Sequence, residues 1–243
     1  MLSIFLKEIN AFFSSLIGYI VIGTFLVIMG LMMFVFPDYS ILNYKFATLD
    51  QLFNVAPMIF IFLIPAVTMR SLAEEQQAGT MELLATRPIS NWQIVLGKYF
   101  ACLVLVAFSL LPTLLYYWTV HELGSPKGNL DSGAIAGSYF GLFLLAAAFV
   151  SIGIFSSSLT KNQIVAFILA TFLCFIFYWG FLLISNIPSF VGRIDAIIQM
   201  IGIDYHYESM SRGIIDTRDL LYFFSFITFF IFLTLISLEW KRI

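Results

Sequence analysis

Charge is scarce in this sequence. Asp, Glu, Lys and Arg make up 11% of the 243 residues, while 61% are hydrophobic. A soluble domain carries roughly 25% charged and about 45–50% apolar residues. So few polar side chains cannot clothe a water-facing surface, which excludes a soluble globular domain. Histidine and cysteine are rarer still, at two each. Cys102 and Cys174 both sit in apolar runs without C-x-x-C or zinc-type spacing. They point to buried packing, not to a disulfide framework or a metal site. The net charge of −2 offers no attraction for nucleic acid. A G-x-x-x-x-G-K-S/T loop to cradle a nucleotide's phosphates is also missing.

What is present is a series of apolar runs. A helix crossing the hydrocarbon core needs about 20 mostly apolar residues. Six runs qualify, near 16–36, 52–69, 99–120, 134–158, 163–186 and 219–238. Turn-forming residues separate them, as at Pro37-Asp38, Gly124-Ser125-Pro126, Lys161-Asn162-Gln163 and Asn186-Ile187-Pro188. The first run is too long for the apolar region of a signal peptide and lacks a cleavage site, so it is expected to remain as a span. The expected fold is an all-α integral membrane protein with six transmembrane helices. An even count puts both termini on one side. Lys7, Arg70, Arg87, Lys98, Lys161, Lys241 and Arg242 then lie on that side, against Lys45, Lys127, Arg193, Arg212 and Arg218 on the other. The positive-inside rule makes the first side cytoplasmic, giving N-in and C-in.

Two segments outside the runs are amphipathic. In 1–15, Phe5, Ile9, Phe12 and Phe13 share a face opposite Ser3, Lys7, Asn10 and Ser14, which predicts a helix lying in the membrane interface. In the outer segment 187–218, Phe190, Ile194, Ile197, Ile198 and Ile201 align, with Asp195 and Gln199 facing away and Gly202 ending the pattern. This predicts an embedded helical hairpin.

The six runs hold no ionisable residue in their interiors. Ion-coupled transport, proton relays and intramembrane proteolysis all need such groups at depth, so these classes are disfavoured. Energy for any work must come from another polypeptide, which directs attention to the loop 70–93. Residues 70–78 favour helix and extend the second span. Gly79 suits the left-handed turn that ends a helix. Thr80 can cap a new one with Glu82 near its positive end, and Pro88 stops it. Ser90 and Gln93 form a capping box for the third span. A short helix over about 80–86 results. Its Met81, Leu83 and Leu84 are apolar and ringed by Glu74, Glu75, Glu82 and Arg87. Such a surface suits docking, or packing on the protein's own bundle or on lipid headgroups.

The run Glu75-x-x-x-Gly79-Thr80-x-Glu82-Leu83-Leu84, with Pro88-Ile89-Ser90 and Gly97-Lys98, resembles the coupling-loop signature of type-2 ABC transporter permeases. Longer strings are similar to the gliding-motility-associated permeases of the Bacteroidota, the GldF subfamily. They are Leu6-Lys7-Glu8-Ile9-Asn10, Leu63-Ile64-Pro65-Ala66-Val67-Thr68-Met69, Gly137-Ser138-Tyr139-Phe140-Gly141-Leu142 and Asn162-Gln163-Ile164-Val165-Ala166-Phe167. The resemblance implies one permease domain over 1–243 in a bacterial inner membrane. It implies a dimer of two permease chains, identical or related, served by a separate ABC ATPase that binds ATP and Mg. No cofactor is expected in this chain. The ATPase-binding role carries onto Glu75, Gly79, Thr80, Met81, Glu82, Leu83, Leu84 and Pro88. An exporter is the expected function. An energy-independent anchor in a motility or secretion machine is the competing one.

His121 and His206 read as interfacial anchors. Pro57, Pro65 and Pro112 read as kinks or hinges. Gly137, Ser138, Gly141 and Ala146 to Ala148 give the fourth span a small face for close packing. The 28 phenylalanines read as lipid-facing bulk.

Overall fold

The structure, a computed structural model, describes residues 1–37, 39–41, 43, 48–80, 90–188 and 192–240. Among these residues the regular elements are all helical. In chain order they are α1 (Leu2–Ser14), α2 (Leu16–Phe34), α3 (Asp50–Thr68), α4 (Arg70–Gln77), α5 (Asn91–Leu110) and α6 (Leu114–Leu123). There follow α7 (Ser132–Leu159), α8 (Gln163–Phe175), α9 (Phe181–Ser185), α10 (Asp195–Gln199), α11 (Ile203–Ser211) and α12 (Thr217–Trp240). A 3-10 turn, Leu111–Thr113, joins α5 to α6, and a π-helical stretch, Ile176–Gly180, joins α8 to α9.

Five continuous stretches are long and apolar enough to cross a membrane: Asp50–Gln77, Asn91–Leu123, Ser132–Leu159, Gln163–Ser185 and Thr217–Trp240. A sixth is counted when α1 and α2 are taken together, with a bend of 66° between them. The bend falls at Ser15, whose extended backbone breaks the helix. The chain is an all-α membrane protein, as its apolar runs require.

At the centre stands α7, most of whose length is buried. It packs against α3, α4, α5, α8, α11 and α12. Its small residues permit this crowding: a Cβ on Gly141 would lie 2.6 Å from Met210 Cβ on α11. Helices without side-chain bulk approach closely, and in lipid that close packing replaces the hydrophobic drive available in water. The small face expected on the fourth span is therefore its packing face. Of the three prolines, Pro112 sits in the 3-10 turn, whereas α3 runs on through Pro57 and Pro65.

In the segment 187–218 the isoleucines and Gln199 take opposite sides, as the sequence pattern has them. Ile197 is 64% exposed and Ile194 is exposed as well, while Gln199 turns inward and donates from Nε2 to Ser185 Oγ at 3.0 Å. With five residues, α10 is too short to present a long stripe, and the amide finds its partner at the end of α9. The packed face belongs to α11, through Ile203, Tyr207 and Met210. Tyr207 donates to the Phe53 carbonyl at 2.8 Å. Phe190 lies outside the described residues. Gly202 does end the pattern, in an extended conformation ahead of α11.

Four of the helices begin earlier than their apolar runs, at Asp50, Asn91, Ser132 and Thr217. Lys98 therefore lies inside α5 and Asp219 inside α12, 2% and 7% exposed respectively. Both charges stand at the edges of the apolar runs, whose interiors hold none, and the helices extend past the runs at these ends.

Candidate functional site

The site is built on α4. It follows α3 without a break in helical backbone, and together they run for 28 residues. Although α4 is polar in sequence, Ser71, Leu72, Ala73, Glu75 and Gln76 are buried. It is clamped to α7 by hydrogen bonds. Ser157 Oγ accepts from the Leu72 and Ala73 amides, both at 3.0 Å, and donates to the Met69 carbonyl at 2.9 Å. Gln76 Nε2 donates to the Ser158 carbonyl at 3.0 Å.

Four charged side chains then join three helices. Lys98 of α5 places Nζ 2.7 Å from Glu8 Oε1 of α1 and 3.1 Å from Glu75 Oε1 of α4. Lys7 of α1 reaches the same Glu75 oxygen at 3.0 Å and Glu8 at 4.0 Å. An ammonium as buried as that of Lys98 persists only when paired, since a lone ion in such a place costs several kcal/mol. Gly97 makes the approach possible, because a Cβ there would sit 3.1 Å from Ile4 Cγ2 and 3.3 Å from the Met1 carbonyl. Beside this quartet lies a cavity of about 280 Å³. Two polar atoms at the site, Ser71 Oγ and Glu75 Oε2, are buried without a hydrogen-bond partner among the described residues.

Beyond α4 the chain turns. Gly79 has φ of +68°, a left-handed conformation open to glycine without steric penalty. Thr80 Oγ1 donates to the Glu75 carbonyl at 3.3 Å, covering one of the carbonyls that a helix end leaves open. The chain resumes at Ser90, where the expected capping box with Gln93 is formed in both directions. Three helices thus meet at a turn leading into the segment 81–89.

The sequence profile of the ABC-2 family transporter proteins matches residues 2–238. The chain belongs to the ABC-2 transporter family. Membership places it among membrane transport proteins. The chain is also 27% identical, over 158 residues, to "Probable multidrug ABC transporter permease YbhR" of Escherichia coli, in both strain K12 and O157:H7. That match covers 65% of this chain and 39% of the relative, so the chain spans about two-fifths of the length of the curated relatives it matches.

In this ABC-2 protein, Glu75, Gly79 and Thr80 stand together at the end of α4, as the sequence places them. Met81, Glu82, Leu83, Leu84, Arg87 and Pro88 lie outside the described residues. Sequence reasoning missed Lys98, Glu8 and Ser157. Lys98 looked like a loop residue because a charge next to an apolar run mimics a helix end. Glu8 escaped because α1 packs through Ile4 and Phe12, and Glu8 is spaced four residues from each. A helical face read as Ile4-Glu8-Phe12 would have pointed to a buried carboxylate and hence to a distant cation.

At α11 and the start of α12, His206 Nδ1 lies 2.8 Å from Asp219 Oδ1 and Nε2 lies 3.0 Å from the Met200 carbonyl. Its ring stacks on Tyr222 at 3.9 Å between centroids. These contacts make His206 an anchor between α11 and α12. Nearby, burial pushes the Asp204 carboxyl above its usual range. The Tyr178 hydrogen bond opposes this and the Glu208 charge adds to it.

Proposed function

We propose that this ABC-2 protein is the permease subunit of an ABC exporter and that a separate ATPase docks on the segment 80–86. The observation that carries the reading is the Glu75 carboxylate. It lies one turn before the Gly79 bend and bonds Lys7 of α1 and Lys98 of α5. A push on the segment after Gly79 would pass through one short helix into the bases of three, a rigid lever suited to moving spans. ATP and Mg belong to the partner. Two permease chains form the pathway, in a bacterial inner membrane with both termini cytoplasmic. The relatives' name, a multidrug permease, favours export. The strings shared with the gliding-motility permeases favour a role in that process.

The docking surface is supplied by Met81, Leu83 and Leu84, with Glu82 at its rim and Pro88 ending it. Burying a leucine contributes about 1.5–3 kcal/mol, and a carboxylate in its place costs more. Leu83→Asp is therefore expected to abolish pull-down of the ATPase while membrane insertion persists. Glu82→Ala should do little, because a rim charge contributes roughly 0–1 kcal/mol. Full binding and ATP turnover by Leu83→Asp would leave the chain an energy-independent anchor. For the orientation, a cysteine at Lys127 should react with an impermeant thiol reagent in intact cells and one at Gln77 should not. The opposite pattern refutes N-in.

A further inference from the structure

We propose that His206 is a proton-operated clasp on the segment 187–218, closed while its imidazole carries both ring protons and released when one is lost. The geometry is that of a ring set between two acceptors. Nδ1 lies 2.8 Å from Asp219 Oδ1 at the start of α12, and Nε2 lies 3.0 Å from the Met200 carbonyl just after α10. A neutral imidazole has one N–H and one accepting nitrogen. Either neutral tautomer would therefore turn a lone pair onto an acceptor oxygen at hydrogen-bond distance. Only the doubly protonated ring donates to both.

The carboxylate needs that charge. Asp219 is buried, and among the described residues its only ion pair is with His206. Its second oxygen accepts from Ser209 Oγ, so both oxygens act as acceptors, as in an ionised carboxylate. Such a charge persists in the interior only when paired. The charged residues of α11 and of the start of α12 are engaged elsewhere. Glu208 pairs with Arg212, Asp204 takes the Tyr178 hydrogen bond, and Asp216 accepts from the Arg218 amide, with Arg218 itself exposed. The remaining neighbours are aromatic. Tyr222 of α12 stacks on the ring, and Tyr205 meets it edge-on at 5.2 Å between centroids. Helix α7, which also packs on α11, has no charged side chain.

Loss of one proton opens a particular contact. The carboxylate keeps the remaining N–H at Nδ1, because a buried charge left without its donor costs more than a freed carbonyl. Nε2 then presents a lone pair to the Met200 carbonyl, and the two separate. Met200 lies in the turn between α10 and α11, which Tyr222 also holds by donating to the Ile201 carbonyl at 2.7 Å. The ring that lets go of Met200 is the one stacked on Tyr222, so both bonds loosen together and α10 is the part set free. The closed clasp is the state that binds the proton. Acid therefore favours it, and rising pH opens it.

The test uses the full-length protein in detergent micelles, labelled with 15N-histidine and carrying His121→Gln, so that of the two histidines His206 alone is seen. Long-range 1H–15N spectra show which ring nitrogens hold protons. The titration runs from about pH 5 to 9, past the range in which histidine ordinarily changes charge. Both nitrogens should be protonated at the acid end, and Nε2 should lose its proton as pH rises. A spin label on Ile197→Cys, attached there because Cys102 and Cys174 are buried, should gain mobility in the same step. Asp204→Asn should keep the step and Asp219→Asn should remove it. A single ring proton at every pH overturns the proposal, as does loss of the proton from Nδ1 in place of Nε2. A ring that stays doubly protonated to the alkaline end, or a label indifferent to the step, overturns it equally. Loss of the step in Asp204→Asn would assign it to that carboxyl and overturn the clasp. The ring spectra need no change within the clasp, so a misfolded Asp219→Asn leaves the test decisive.

Discussion

Lys98 and Glu8, separated by 90 positions in the chain, meet at 2.7 Å in the interior of the protein. The contact fastens the N-terminal helix to the base of α5, and Glu75 extends it to α4 at 3.1 Å from the same ammonium. One cation thereby holds three helices at the point where the chain leaves for its 81–89 segment.

Removing that cation should be costly. Lys98→Ala leaves Glu8 and Glu75 facing each other with only Lys7 nearby. The expected loss is about 3–5 kcal/mol, the usual effect of orphaning a buried charge. Lys98→Met combined with Glu8→Gln and Glu75→Gln should recover most of it, because the uncompensated carboxylates are gone as well. Thermal unfolding in detergent reads both variants. A tolerated Lys98→Ala would mean the quartet carries no stability.

At Gly79 the space and the backbone can be separated. Among the described residues a Cβ there meets nothing within 4 Å, so φ of +68° is what resists substitution. Gly79→Asn should keep ATP turnover of the assembled complex, since asparagine adopts the left-handed region. Gly79→Val, penalised by its branched Cβ, should reduce turnover several-fold. Equal turnover in the two would show that the turn does not transmit movement.

Where α7 and α11 cross, Gly141 and Met210 are complementary. Gly141→Ala should lower stability by about 1–3 kcal/mol through overpacking, and Met210→Ala should lower it through a cavity. The double variant should lose less than the sum, a coupling readable in a double-mutant cycle. Strict additivity would mean the helices separate more freely than their contact implies.

Acidity should matter at Asp204. Its carboxyl is held above the ordinary value of 3.8, so the folded state binds a proton that the unfolded state has released. The stability this residue contributes is thus present at acid pH and is lost as pH rises from 3.8 through the folded value. Asp204→Asn stays neutral and retains an oxygen for the Tyr178 hydroxyl. Its advantage over the parent protein should grow with pH across that window, measured as the difference in unfolding temperature. A difference independent of pH would refute the assignment.

Much of the helical layout was legible because it is set locally. Leu16 to Phe36 can be read as a span from its length, and the Ser90–Gln93 box from the spacing of two side chains. Gly79 announces itself because the left-handed turn selects glycine. On α10 the isoleucines stand exposed while Gln199 turns to the Ser185 hydroxyl on α9, a partner that periodicity alone does not name. Lys98 misled for a different reason, since charge beside an apolar run carries the same signal whether the helix ends or continues.

The sequence by itself determined that this chain lies in a membrane, that it is helical and where its turns fall. These follow from hydropathy, periodicity and backbone preference, which act over a few residues. Only the tertiary structure decided that Glu8, Glu75 and Lys98 form one buried cluster. A charge can be buried only where its counter-ion is brought within about 3–4 Å, and that distance is set by how α1, α4 and α5 pack, not by any property of the residues next to it in the chain.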